Sequence, residues 1–253
     1  MFGSALPGLG FVRRLPRLAL DVVLPPQCLG CEAIVDEAGA LCPRCWNAIQ
    51  FIAEPVCWAC GVPFAYAIGA HVLCGACIRE QPPFARARAA FVYDDASRRL
   101  VLAFKHADRT DAAPAFAEWM ARAGAELLAD GHVIAPVPLH WTRLFRRRYN
   151  QAALLAAALG AKAGVPVAHE LIVRRRRTPS QGGLGPSARR RNLAGAFAAA
   201  PKGADAIADR RVLLVDDVFT TGATARACSR ALLGAGAAAV DVLTLARVVR
   251  PSA

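Results

Sequence analysis

The sequence predicts an α/β protein, a mostly parallel twisted sheet flanked by helices and preceded by a small cysteine-rich module. Two observations carry this. Strand-length apolar runs at 89–93, 133–138, 212–215 and 240–245 alternate with helical patterns, the order in which helices cover both faces of a parallel sheet. Ahead of them, eight cysteines stand as four Cys-x2-Cys pairs between residues 28 and 77. The expected organisation is an N-terminal amphipathic helix over 1–27, a cysteine module over 28–80 and the α/β domain over 88–253. Pro82 and Pro83 mark the linker.

The first segment places Arg13, Arg14 and Arg17 before the apolar stretch 18–24. That stretch is short, contains Asp21 and ends at Pro25-Pro26 without a small-residue cleavage site, so it reads as an amphipathic helix rather than a secretory signal. No uncharged apolar run reaches the roughly 18 residues of a membrane span. The expectation is a cytoplasmic protein that is not integral to a membrane, in a compartment where thiols stay reduced.

The cysteine pairs are Cys28/Cys31, Cys42/Cys45, Cys57/Cys60 and Cys74/Cys77. Two thiolates two residues apart on a tight turn grip one metal ion, and a second such pair completes a tetrahedron. Eight ligands therefore fill two zinc sites, closed to water and so structural. Gly61 after Cys60 and Gly75 after Cys74 suit knuckle turns that need positive φ. A disulfide framework or a redox Cys-x-x-Cys is the competing reading, and the regular doublets argue against both. Consecutive pairing, which makes two ribbons, is favoured over alternate pairing, which makes a cross-brace. Cys228 stands apart and reads as a small core residue.

In the α/β domain, strand 89–93 leads to a helix over 96–105 with Leu100, Val101 and Phe104 on one side. A longer helix follows over 112–129, ending near Asp130-Gly131. Strand 133–138, a helix over 151–163, strand 212–215, a helix over 225–233 and strand 240–245 complete the alternation. Ligands of such sheets sit at the carboxyl ends of the strands. Three basic stretches fall in connecting segments: Lys105-His106; the run Pro136–His140 leading to Arg143 and Arg146-Arg147-Arg148-Tyr149-Asn150-Gln151; and the stretch from Arg174 to Phe197, with Gln181 and Arg189-Arg190-Arg191-Asn192. An arginine-rich loop suits an anion, since guanidinium forks bind phosphate oxygens two at a time. The surplus of 31 Lys and Arg over 19 Asp and Glu, net +12, suits a polyanionic ligand as well as a plain bias toward arginine.

The most specific string is Val212-Leu213-Leu214-Val215-Asp216-Asp217-Val218-Phe219-Thr220-Thr221-Gly222-Ala223-Thr224. A buried strand ends in two acids that can accept hydrogen bonds from sugar hydroxyls. A loop of hydroxyls and glycine then opens a helix whose N-terminus favours an anion. No Gly-Lys-Ser/Thr and no Gly-x-Gly-x-x-Gly is present, so this is neither of the common nucleotide loops. The string resembles the phosphoribosyl-pyrophosphate (PRPP) loop of type I phosphoribosyltransferases.

With the Pro-Val-Pro-Leu-His strand end, the Arg-x-Tyr-Asn-Gln segment and the loop Gln181…Leu184…Arg189-x-x-Asn192…Phe197 in the same order, residues 20–247 resemble the ComF family. The resemblance implies a type I phosphoribosyltransferase-like domain behind a double zinc ribbon. Two positions depart from the family's usual pattern: Arg148 stands where a glycine is usual, and Ala188 where an acid is frequent. The resemblance implies PRPP as ligand, Mg²⁺ accompanying it, and a part in natural competence through imported single-stranded DNA and competence-machinery proteins. Asp216 and Asp217 are the candidate catalytic acids. Thr220, Thr221, Gly222, Ala223 and Thr224 are the candidate 5′-phosphate ligands, with Lys105, Arg147 and Arg189 as the candidate cations. Two functions remain open at this point: a PRPP-binding protein of DNA uptake, or an active phosphoribosyltransferase acting on a nucleobase or amine in salvage. No segment reads as a base-recognition hood, so the acceptor is not legible.

Overall fold

The computed structural model describes residues 25–66, 69–106, 109–130, 132–140, 149–176, 186–193, 195–201, 203 and 207–249. The expected helix over 1–27 therefore lies almost wholly outside the described residues. The chain divides into two compact units, 1–47 and 48–253.

The described part of the first unit is a cysteine-bearing turn followed by one short helix. Cys28 and Cys31 lie on a turn closed by Cys28 N–H to Ala33 C=O (2.7 Å) and Val35 N–H to Pro26 C=O (2.9 Å). Glu32 follows with φ of 63°. Cys42 then leads into helix α1, Pro43–Ala48.

The second unit begins with the same device. Cys57 and Cys60 sit on a turn followed by Gly61 at φ 68°, and Cys74 precedes helix α2, Gly75–Arg79. The expectation of a positive φ at Gly75 is not met, because Gly75 opens that helix. The residue after the first pair of each ribbon, Glu32 or Gly61, takes the left-handed conformation. At Gly61 only glycine fits, since a Cβ there would stand 2.3 Å from the Ala87 carbonyl oxygen.

The sheet of the second unit comprises β1 (Ala87–Val92), β2 (Val133–Pro136), β5 (Arg211–Phe219) and β6 (Ala239–Arg247), in the order β1-β6-β5-β2 and parallel throughout. All four strands therefore end on one side, the side where ligands gather. Helix α3 (Asp95–His106) follows β1, and α4 (Ala113–Ala123) packs on β1 and β6. Phe104, Phe116 and Trp119 form edge-on and tilted ring contacts on that face, with centroids of Phe104 and Phe116 5.2 Å apart. Burial of each such ring contributes about 2–3 kcal/mol. The remaining helices are α6 (Gln151–Ala163), α7 (Pro186–Leu193) and α8 (Ala223–Leu233), and the opposite face packs Val212, Leu214, Val240 and Val242 under α8.

Three elements differ from expectation. The long helix over 112–129 is two helices, α4 and the single turn α5 (Ala125–Leu128), broken at Gly124. A Cβ at Gly124 would stand 2.7 Å from Leu243 Cδ2, so the backbone rides directly on the sheet there. Strand β5 runs through Asp216 and Asp217 to Phe219 because β6 continues beside it, pairing Asp216 with Thr244 and Phe219 with Arg247. Finally, β3 (Ile172–Arg174) and β4 (Phe197–Ala199) form an antiparallel pair that brings the two ends of the arginine-rich stretch together.

At the amino end of β6, Asp241 is fully buried. It accepts hydrogen bonds from Arg86 N–H (3.0 Å), Arg211 Nη2 (2.8 Å) and the His132 ring (2.7 Å). Burial opposes its ionisation, yet these donors hold it well below the usual carboxylate range.

Candidate functional site

Each ribbon assembles its thiols by the same local bonds. In the first, Cys42 N–H and Gly30 N–H donate to Cys28 Sγ at 3.2 and 3.4 Å. In the second, Cys74 N–H donates to Cys57 Sγ at 3.2 Å. Burial works against ionisation of Cys28, but N–H groups of Cys42, Gly30 and Cys31 bring its thiol down to about 6. Bonds from the Cys60 and Cys77 side chains lower Cys57 as well. In each cluster the four Sγ atoms lie within 4.8 Å of one another, grouped as Cys28/Cys31/Cys42/Cys45 and Cys57/Cys60/Cys74/Cys77. The pairing is consecutive, and no disulfide joins these cysteines. Two four-thiol sets fit two structural zinc ions.

The second site lies where β5 leaves the sheet. Period-two alternation sends the two acids to opposite faces. Asp216 shares the face of Val212 and Leu214, and lines a narrow cleft with Val218, Thr220, Gly222, Thr224 and Thr244. Asp217 turns the other way and pairs with Lys105 Nζ at 2.8 Å. Thus Lys105, assigned to phosphate from sequence, has its ammonium on a carboxylate. Burial and the neighbouring charge of Asp217 push Asp216 up to about 7, against the bond from Asp217 N–H to Asp216 Oδ1 (2.9 Å) and the charges of Lys105 and Arg174. Arg174 stacks over Phe197 with its guanidinium 5.2 Å from the ring centroid.

After Phe219 the chain turns through Thr220, Thr221 and Gly222, the last at φ 72°, and α8 begins at Ala223. Its N-cap residue, Gly222, offers no side-chain cap to the first N–H groups of α8. Thr221 Oγ1 is buried and has no hydrogen-bond partner among the described residues. Such an N-terminus with a hydroxyl beside it has the chemistry to receive an anion.

Position of the Lys105 end depends on the next segment. Tyr149 donates its hydroxyl to Phe104 C=O (2.9 Å), Asn150 Nδ2 donates to Val137 C=O (3.0 Å), and Gln151 Nε2 donates to Lys105 C=O (3.2 Å). Asn150 Oδ1 also caps α6, accepting from Ala152 N–H. The Tyr-Asn-Gln string is therefore a clamp tying the ends of α3, β2 and α6 together. Sequence reading had placed it in a ligand loop.

Arg147 lies outside the described residues. Arg189 belongs to α7, and its side chain is likewise outside them. Cys228 is buried in α8, where burial pushes its thiol well above the usual value, as suits a core residue. Sequence reading missed Arg247 and Arg226, which flank the Thr220–Gly222 loop. Their only signal was a cation ending an apolar strand and a cation in a first helical turn.

Among the described residues no helix is long and apolar enough to cross a membrane. Residues 19–80 match the double zinc ribbon domain family. Competence protein F of Haemophilus influenzae is 32% identical over 227 residues, covering 87% of this chain and 96% of that protein. DNA utilization protein YhgH of Escherichia coli K12 is 31% identical over 215 residues, covering 83% and 91%. Competence protein ComFC of Bacillus subtilis is 28% identical over 215 residues, covering 82% and 84%. Among solved structures, the glutamine PRPP amidotransferase from B. subtilis superposes over 56% of this chain and 30% of its own, with a TM-score of 0.38 and 19% identity.

Proposed function

Because the chain belongs to the ComF family, that of Competence protein F and the YhgH proteins, we propose that it binds PRPP and supports DNA uptake and natural transformation. It would act on imported single-stranded DNA in the cytoplasm, beside competence-machinery proteins. The observation that supports PRPP most is the run from Asp216 to Ala223: an acid at about 7 in β5, an orphaned threonine hydroxyl and a glycine N-cap opening a helix, in eight consecutive residues.

In this reading Thr220, Thr221, Gly222, Ala223 and Thr224 hold the 5′-phosphate through N–H and hydroxyl donors, a positioning task. Asp216 and Asp217, near the carboxyl end of β5, would accept from the ribose hydroxyls, and their charge would stabilise the positive charge that develops at the anomeric carbon if the C1–pyrophosphate bond breaks. Lys105 exchanges Asp217 for phosphate oxygen, and Arg147 and Arg189 screen the pyrophosphate. Bound Mg²⁺ would supply further neutralisation of that group. The antiparallel β3–β4 pair brings both ends of the arginine-rich stretch together. The basic surplus and the exposed Trp46 and Tyr66 of the ribbons suit single-strand backbone and base contacts.

The test is transformation frequency. Deletion of the gene should abolish transformation by linear DNA, and the wild-type chain should restore it. The Asp216→Ala/Asp217→Ala chain, expressed at the same level, should not. Full restoration by that double variant would overturn the PRPP part of the proposal. Pyrophosphate release with a panel of bases then separates a transferase from a PRPP-dependent binder.

A further inference from the structure

The second four-cysteine ribbon reaches the proposed phosphate loop by two arginines. It first docks on the sheet: Ala87 N–H of edge strand β1 donates to Ala59 C=O (2.8 Å), and Arg88 Nη1 donates to Trp58 C=O (3.0 Å). A cavity of about 300 Å³ then separates Cys60, Cys74 and Cys77 from Thr220 and Thr221. Arg247 and Arg226 span it.

Arg247 is the last residue of β6 and the register partner of Phe219. It is 6% exposed. Its Nη1 donates to Cys60 C=O, its Nη2 lies 3.9 Å from Cys60 Sγ, and its guanidinium lies 4.8 Å from the Phe219 ring centroid. That ring packs on the loop glycine, for a Cβ at Gly222 would stand 2.7 Å from Phe219 Cζ. Contact thus runs unbroken from Cys60 through Arg247 and Phe219 to Gly222. On the other flank, Arg226 in the first turn of α8 donates to Glu80 C=O (3.1 Å) and Gln81 C=O (3.3 Å), just past α2 of the same ribbon.

A filled site sets one divalent cation against four thiolates and is therefore an anion. It would hold the Arg247 guanidinium by charge as well as by the Cys60 carbonyl. Emptied, the site no longer fixes four thiolates in place beside Arg247. A lysine could supply charge there but not the flat face that lies on Phe219 while its fork reaches Cys60.

We infer that the second zinc ribbon is the scaffold of the phosphate loop, with Arg247 and Arg226 as positioning residues that couple zinc occupancy to PRPP affinity. The inference rests on the PRPP reading above. Coupling between two binding equilibria is reciprocal, so PRPP must tighten zinc by the factor that zinc tightens PRPP.

The experiment uses the full-length protein with both zinc sites filled. Zinc affinity is measured by competition with a chelator, with and without saturating Mg²⁺ and PRPP, and PRPP affinity is measured by calorimetry. PRPP should tighten one of the two zinc ions by about tenfold and leave the other unchanged. Arg226→Gln and Arg247→Gln should each weaken PRPP binding by about tenfold while retaining two zinc ions, with Arg247→Lys intermediate. Loss of the PRPP-dependent zinc tightening in the double glutamine variant would complete the case. If PRPP binds the wild type yet neither zinc affinity moves, the coupling is wrong although the site stands. If calorimetry shows no PRPP binding, the site reading falls and the coupling with it.

Discussion

Asp216 is held up to about 7, chiefly by burial and then by the charge of Asp217 one residue on. Its ordinary value is 3.8. A carboxyl whose folded value is raised binds its proton more tightly when folded. Its stabilising share is full below about 4 and is lost as pH rises through about 7. Urea unfolding between pH 4 and 8 should therefore show wild type losing stability relative to Asp216→Asn, by at most about 4 kcal/mol across that window. Parallel curves for the two proteins would contradict the assignment. The ionised form is the stronger acceptor of sugar hydroxyls, so PRPP affinity should rise over the same window. Sequence reading found Asp216 because it is adjacent to Asp217 and to the hydroxyl loop. The buried Asp241 was legible only as a charge interrupting an apolar run. Its partners Arg86, His132 and Arg211 are scattered along the chain, and only the sheet brings them together.

Among the elements, the turn from β5 into α8 is the most constrained. Gly222 sits at φ 72° against the Phe219 ring, so a side chain there meets both backbone strain and a clash. The left-handed conformation alone costs about 1–2 kcal/mol for a residue with a Cβ. Gly222→Ala should thus lower the stability by at least that amount in urea unfolding and weaken PRPP binding more than tenfold. A variant with wild-type stability and affinity would show that the turn is not the cradle described. This turn was legible from sequence because small and hydroxyl residues followed a buried strand. The length of β5 was not, since two acids read as a strand end until β6 is seen pairing alongside them. The break at Gly124 was hidden for a similar reason: apolar spacing runs through it, and only contact with Leu243 requires the glycine. Tyr149-Asn150-Gln151 carried a signal of importance but not of role. Its three bonds go to main-chain carbonyls of Phe104, Val137 and Lys105, which sequence separation conceals.

At the scale of the molecule, the alternation of apolar runs was enough to expect a parallel sheet, because each crossover needs a helix. The order β1-β6-β5-β2 was not readable, but it is what sets β5 and its acids inside the sheet, between β6 and β2. The eight cysteines announced two metal sites, while their consecutive grouping needed the two turns and two short helices to be placed in space. The second ribbon falls within the larger unit, 48–253. What unites these features is a claim about one ligand. Calorimetric titration of PRPP with Mg²⁺ into the zinc-filled, full-length chain tests it most directly. The account predicts a saturable one-to-one isotherm for wild type and at least a tenfold loss, about 1.4 kcal/mol, for Asp216→Ala/Asp217→Ala. Absence of binding by wild type, or equal binding by the double variant, would contradict it.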